Sequence, residues 1–441
     1  MKILQINTSD LQGGAARAMY RLHQALGKAG HRSRLLTRTR QVRGPETYTI
    51  QEVAGSYGGL LGRLHKELAV RADIWFGIPN LHGTTKRLLH TDLFRWADVI
   101  QLHNLHGRFF NYHLLPRITA AKPVVWTLHD MWAFTGHCAY AYDCRRWQTG
   151  CYACPLLVGE QRQLVEPGPT LLDRTRTIWR RKRNLYGQSS LHLVTPSRWL
   201  GNLASDSILA QAGEVEVIPN GVDLHTFAPM DPQAARACLG LPAEAKVILF
   251  VAEKLSNRRK GFDLLLEALA HLPDLAGLEL LTIGTVESRE ALGRFRCREL
   301  GRLDDEGLMS LAYNAADLFV FPTLADNQPL VVLESLACGT PIVSFDIGGV
   351  PEMVRPMETG FLADYRDPVH LARGISVLLE DEALCARLGR RCRAIAVAEY
   401  GLELQSKRYQ ALYQRAIEEH RHQAKSEDRF SAGTGEGKGV G

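Results

Sequence analysis

Short apolar runs alternate with helical stretches along almost the whole chain, and this alternation constrains the fold most. In the first half KILQIN, SRLLTR, VIQLHN, VVWTLHD and LHLVTPS read as strands. In the second half EVEVIPN, KVILFVAE, LELLTIG, LFVFPT and PIVSFD do. Strands alternating with helices imply βα units and parallel sheets, so the fold class is α/β. At 441 residues the chain exceeds one ordinary domain, and two doubly wound, Rossmann-like domains facing a central cleft are expected. The boundaries read as 1–218 for the first domain and 219–400 for the second, with IPNGVD (218–223) as the connection. A helix is expected over 401–422, followed by a Gly- and Ser-rich, disordered tail over 423–441.

The opening MKILQINTSD reads as a first strand, not a signal peptide. No run of 18 apolar residues appears, so no membrane span is expected. Nine cysteines without a secretory signal suggest a reducing compartment, and a cytoplasmic location is expected. Charge is uneven. Residues 1–218 hold 28 Lys and Arg against 15 Asp and Glu, and the remainder holds 25 against 32. Basic runs at 32–43 and 174–183 suit an anionic membrane surface, at the inner face, or a phosphate-bearing acceptor; a solvated helix face is the plainer reading. The basic residues lack interleaved stacking aromatics in a recognisable module, so nucleic acid is not an expected partner.

The densest motif is PTLADNQPLVVLESLACGTPIV, residues 322–343. It reads strand end, polar loop, Pro-started helix, Gly stop and a further strand. Asp326, Asn327 and Gln328 precede the helix, and Glu334 lies within it. Free N–H groups at a helix start favour an anionic or hydroxyl-rich ligand, and two carboxylates beside it suit sugar hydroxyls. Gly13 and Gly14 follow the first strand and open another helix, where a backbone can approach a ligand closely; a plain turn is the alternative. Lys260 stands at a helix start after KVILFVAE, placed to neutralise phosphate, with Lys254 six residues earlier. His129 and Asp130 end the strand VVWTL, where a side chain faces the cleft; His103 and His106 are further candidates, with structural roles equally open.

From His137 the chain reads HCAYAYDCRRWQTGCYACP. Cys138, Cys144, Cys151 and Cys154 fall within 17 residues. Four thiolates in a polar loop suit a tetrahedral structural zinc, with His137 able to replace one ligand. Reduced free cysteines, or a disulfide, are the other readings. Four ligands leave no open position, so this metal is not expected to be catalytic.

These motifs, in this order, resemble retaining glycosyltransferase family 4 of the GT-B superfamily. The family carries an acidic residue, seven others, then Glu, followed by small residues and G-T-P; here the first acid is Asp326 where most members have Glu. The pattern W-T-L-H-D-x-W with the cysteine run is similar to the branch that builds bacterial exopolysaccharides such as colanic acid. The resemblance spans residues 1 to about 420. It implies a GT-B fold whose terminal helix packs back on the first domain. It further implies a nucleotide-sugar donor and a glycan or lipid-linked acceptor.

On that reading Glu334 binds ribose, Asp326 with Asn327 and Gln328 holds the donor sugar, and His129 contacts that sugar. Lys260 and Lys254 neutralise the pyrophosphate, with Arg258 and Arg259 as rivals to Lys254. Gly13 and Gly14 lie under the diphosphate or near the acceptor. No D-x-D follows a strand, and Asp304-Asp305 look like a capping turn, so no catalytic metal is expected. Retention would proceed by front-face attack. A GT-B-fold sugar-nucleotide epimerase or a phosphorylase is the alternative activity.

Overall fold

The computed structural model describes residues 1–55, 64, 68, 71, 83–106, 109–158, 172–272, 277–285 and 295–433. Seven strands form one sheet: β1 (Lys2–Ser9), β2 (Arg32–Thr39), β3 (Thr47–Thr49), β4 (Val99–Leu102), β5 (Val124–Thr127), β6 (His192–Thr195) and β7 (Val215–Val217), in the order β3-β2-β1-β4-β5-β6-β7. Six form a second: β8 (Lys246–Lys254), β9 (Leu278–Thr285), β10 (Arg296–Glu299), β11 (Leu318–Phe321), β12 (Ile342–Phe345) and β13 (Gly360–Ala363), in the order β10-β9-β8-β11-β12-β13. Every pairing in both sheets is parallel. The central strands are buried from end to end, as LFVF and IVSF are, because helices cover both faces.

Strand order reverses between β1 and β4, and again between β8 and β11. Chains leaving neighbouring strands at such points diverge to opposite faces and leave a crevice at the carboxyl ends. The helices that matter for the site are α1 (Gly14–Lys28), α2 (Thr175–Tyr186), α3 (Arg198–Ser205), α4 (Phe262–Ala270), α5 (Glu306–Ala315), α6 (Leu330–Cys338) and α7 (Leu402–Gly433).

Three details differ from the sequence reading. The strand within EVEVIPN, β7, closes the edge of the first sheet instead of opening the second. β3, β10 and β13 are strands the apolar pattern does not show; β3 is three residues and β10 is the charged edge RCRE. Helix α7 continues to Gly433, well past His422, because Gln423 to Arg429 contain helix formers and no Pro, and the glycines begin only at Gly433. Residues 434–441 of the expected tail lie outside the described residues.

The chain passes between the sheets twice at adjacent places. The Val222 N–H donates to the Tyr400 carbonyl at 2.8 Å and the Leu402 N–H donates to the Val222 carbonyl at 3.1 Å. Beyond this crossing α7 returns to the first sheet. Its Tyr409, Leu412, Tyr413 and Ala416 pack on Ile3, Leu22, Val99, Val125 and Ile218. Each large apolar side chain so buried contributes about 1.5–3 kcal/mol. Tyr409 also shares a 2.9 Å hydrogen bond with Thr127, and the Tyr413 hydroxyl bonds the Gln101 amide oxygen.

Candidate active site

The carboxyl ends of the two sheets face each other across a cavity of about 580 Å³. Gly13, Gly14, His129, Lys260, Asp326, Asn327, Gln328 and Glu334 all line it, and Lys254 does not. Lys254 ends β8 at an irregularity in its pairing with β9 and points to solvent, so strand geometry turns it away. Arg259, which like Lys254 is not among the lining residues, is a second cation beside Asp326. Its guanidinium donates to the Asp326 carboxylate at 3.1 Å, and the Lys260 ammonium donates to the same oxygen at 2.6 Å.

A tight turn delivers both cations. Gly261 adopts φ 71°, and a Cβ there would stand 1.9 Å from the Pro322 carbonyl oxygen. Glycine is therefore required where the 258–260 turn passes over the end of β11. Burial disfavours the charged form of Asp326, but Lys260 and then Arg259 outweigh it, and its carboxyl is held below the usual range. Helix α6 begins just after with Pro329 at its N-cap, so it starts at Leu330, one residue later than with that Pro at the first helical position. Its first N–H groups open on the cavity. Across the cleft Gly13 takes φ 87° at the start of α1, and a Cβ added there would meet nothing within 4 Å, so that helix start is also open to the cavity.

Glu334 lies one to two turns into α6, buried, and crosses the cleft to the other half of the chain. One carboxylate oxygen accepts from Arg21 of α1 at 2.6 Å and the other from the Tyr313 hydroxyl at 3.1 Å. Arg21 also donates to Glu306 at 2.8 Å. Burial lowers the Arg21 pKa, but Glu334 and Glu306 reverse this, and the net shift is upward. A carboxylate has about four acceptor positions, so Glu334 keeps capacity for a diol beside its two partners.

Asn327 and Gln328 also reach across. Ser197 donates to the Asn327 side-chain oxygen at 2.5 Å, and the Asn327 amide donates to the His129 carbonyl at 3.2 Å. The Asn220 N–H donates to the Gln328 side-chain oxygen at 2.6 Å. These two amides register one half of the chain against the other, which leaves mainly their backbone to a ligand.

At the end of β5, His129 stacks on His103, with their ring nitrogens 3.0 Å apart. The Gln5 side-chain oxygen accepts from the far nitrogen of His103, which makes His103 the acceptor and His129 the donor between the rings. Burial, moderated by Asp130 and reinforced by His106, brings the His129 pKa down to about 4. Burial lowers His103 well below its ordinary value too. Both rings are thus neutral near pH 7. Asp130 does not touch His129 by hydrogen bond; it accepts from His106 at 3.1 Å and from the Trp132 N–H at 2.8 Å.

Sequence reasoning missed Arg21, Tyr313, Ser197 and Asn220. Arg17 and Arg21 are four apart on one helix face and meet Asp304 and Glu306, and that match of i, i+4 arginines with the acidic 304–306 run was the available signal. Asp305 caps α5 by accepting from the Leu308 N–H at 3.0 Å, as a capping turn does.

Two family models match the chain. Glycosyltransferase Family 4 covers residues 12–226 and Glycosyl transferases group 1 covers residues 245–381. A D-inositol 3-phosphate glycosyltransferase from Mycobacterium avium is 31% identical over 316 residues, 67% of this chain and 68% of that protein. The chain is a family 4 glycosyltransferase. The transferase is also 28% identical, over 78% of its length and 83% of the relative's, to a protein described as a colanic acid biosynthesis glycosyl transferase, WcaC of Escherichia coli.

Among solved structures, sucrose-phosphate synthase from Thermosynechococcus elongatus superposes with a TM-score of 0.68 at 21% identity, covering 94% of the transferase and 98% of that chain. HepE of Anabaena, in complex with UDP and glucose, gives 0.63 at 20% identity over 94% and 100%. At such identities these show the fold, and the fold is GT-B.

Proposed function

We propose that this transferase moves a sugar, with retention of anomeric configuration, from a nucleotide-activated donor to a glycan or lipid-linked acceptor of a cell-surface polysaccharide. The observation that carries this is the convergence of Lys260 and Arg259 on Asp326 at the mouth of α6, with Glu334 deeper along the same helix. Donor pyrophosphate oxygens are drawn to the same two cations and to the α6 helix start. Charge developing on the leaving phosphate is then stabilised by groups already in place, which is the largest contribution in transfers of this kind. The two cations take the part a divalent ion plays elsewhere, so the proposal includes no catalytic metal.

Glu334, fixed by Arg21 and Tyr313, accepts from the ribose hydroxyls. Asp326 accepts from the sugar hydroxyls, and neutral His129 presents its ring to the sugar face. The crystallised relative HepE, solved with UDP and glucose, supports a uridine nucleotide as the first donor to try. On α2, Arg176, Arg180, Arg181 and Arg183 face solvent while Lys182 is buried. That exposed basic row supports a lipid-linked acceptor presented at an anionic membrane surface.

The test is nucleotide release and proton NMR of the released or transferred sugar, with UDP-, GDP- and ADP-sugars, with and without EDTA. Slow release from one donor, insensitive to EDTA and giving the retained anomer, is the expected result. An inverted anomer, or release that EDTA abolishes and Mg²⁺ restores, would overturn the mechanism. An altered sugar nucleotide formed without acceptor would establish the epimerase instead.

A further inference from the structure

We propose that Cys138, Cys144, Cys151 and Cys154 hold one structural zinc ion that fixes a wall of the cleft. Four of the chain's nine cysteines come together here within one loop. Their side chains, with His137, line one small pocket of about 10 Å³ behind the cleft, a space on the order of a single small sphere. The remaining wall is Ala141, Arg146, Trp147, Tyr152, Pro155, Leu156 and Thr175; Cys138 is buried and the other three cysteines are half-buried.

The surrounding charge favours a metal–thiolate centre over four neutral thiols. Lys182 of α2 is fully buried beneath this loop. Its ammonium donates to the carbonyls of Trp132 and Thr135 and lies 3.6 Å from the centre of the Trp132 ring. No carboxylate pairs with it among the described residues. Burial brings the Lys182 pKa down to about 7, and Cys151, Cys138 and Asp130 act in the opposite direction. A zinc with four thiolates carries a net charge of about −2 and releases the four thiol protons to solvent on forming. Such a centre supplies the counter-charge that a buried ammonium needs. Thiolates select zinc over the hard cations, and four protein ligands close the coordination shell, so the ion is structural.

Binding also tightens the loop. Among the described residues the one group of three or more candidate ligand atoms mutually within 4.8 Å is Asp364, Asp367 and His370, so no three of the loop's sulfurs lie mutually within that distance. Around zinc they would lie about 3.8 Å from one another. Within the loop Tyr142, Cys151 and Ala153 all take φ of 45–49°.

The same loop sends Ala139 and Tyr140 into the cleft wall. The Tyr140 ring lies under the Arg259 guanidinium at 4.7 Å, and both residues touch Ala325 beside Asp326. Fixing this loop therefore fixes the face against which Arg259 rests.

Metal analysis of the full-length protein, purified without added chelator, tests the proposal. About one zinc per chain is expected, with loss of the metal in Cys144→Ser and Cys151→Ser and full retention in Cys238→Ser, whose cysteine is exposed and elsewhere. Cobalt substituted for zinc should give the intense visible absorption of a tetrahedral thiolate complex. Metal removal should lower the melting temperature of the native protein, and zinc alone should restore it. Negligible metal with four freely titrating thiols in this loop, or a disulfide found here by non-reducing mass spectrometry of the native protein, would overturn it.

Discussion

Asp326 carries its charge between two cations in a buried place, and that arrangement sets what its loss would do. In Asp326→Asn, Lys260 and Arg259 lose their shared partner. Breaking a buried pair from one side costs about 3–5 kcal/mol; the outer position of Lys260 puts the expected loss at the lower end, read by denaturant unfolding. Donor turnover should fall by about two orders of magnitude, as removal of a pre-placed electrostatic group does. Unchanged turnover would remove Asp326 from the reaction. His129 sets a pH dependence. Its folded value is about 4 against an ordinary 6.5, so between these the unfolded chain binds more protons than the folded one. Stability should therefore rise from about pH 4 to about pH 6.5 and level off above, with His103 acting in the same direction. His129→Gln should flatten part of that rise in urea midpoints taken across the range. Asp326, Lys260, Glu334 and His129 were legible in the sequence because each sits at a fixed offset from a strand end or helix start. Tyr313 was not, because its importance comes from Glu334, which approaches it only in the folded chain, and Arg21 left no signal beyond its spacing from Arg17.

The turn before α4 matters as a unit. Gly261 combines a left-handed backbone with a Pro322 carbonyl where a Cβ would go, whereas Gly277 shares the left-handed backbone, at φ 87°, with nothing within 4 Å. Gly277→Ala should cost about 1–2 kcal/mol, the backbone term alone. Gly261→Ala should cost more than that and should also raise the donor KM, since the displaced turn carries Arg259 and Lys260. Equal effects of the two substitutions would show that the close approach to Pro322 is not a constraint. Central strands and α6 could be read from sequence because burial on both faces writes a continuous apolar run. The edge strands β3 and β10 could not, since half their surface is wet and TYT or RCRE carries no such run. Lys254 shows the same limit: its spacing suited a phosphate ligand, but the irregular end of β8 turns it outward.

At the scale of the whole molecule the uneven charge finds a partner within the chain. Arg17 meets Asp304, Arg21 meets Glu306 and Glu334, and Arg198 meets Glu352, each pair joining the basic half to the acidic half. Composition showed the asymmetry, but only the fold shows how much of it is internal. The second crossing at Val222 and Gly401 returns α7 to the first sheet, where it covers Ile3, Leu22, Val99 and Val125. Residues 1–218 expressed alone should then be insoluble or loosely packed, and the same segment joined by a flexible linker to residues 402–433 should be soluble with a cooperative melt. A stable, soluble 1–218 would show that α7 is not needed there. Synthesis runs from the amino end, and domains generally fold as they emerge. Here the half that emerges first must wait, its apolar face open, through the making of all of the second half. A premature stop near the end of the message would therefore do its damage at the beginning of the protein.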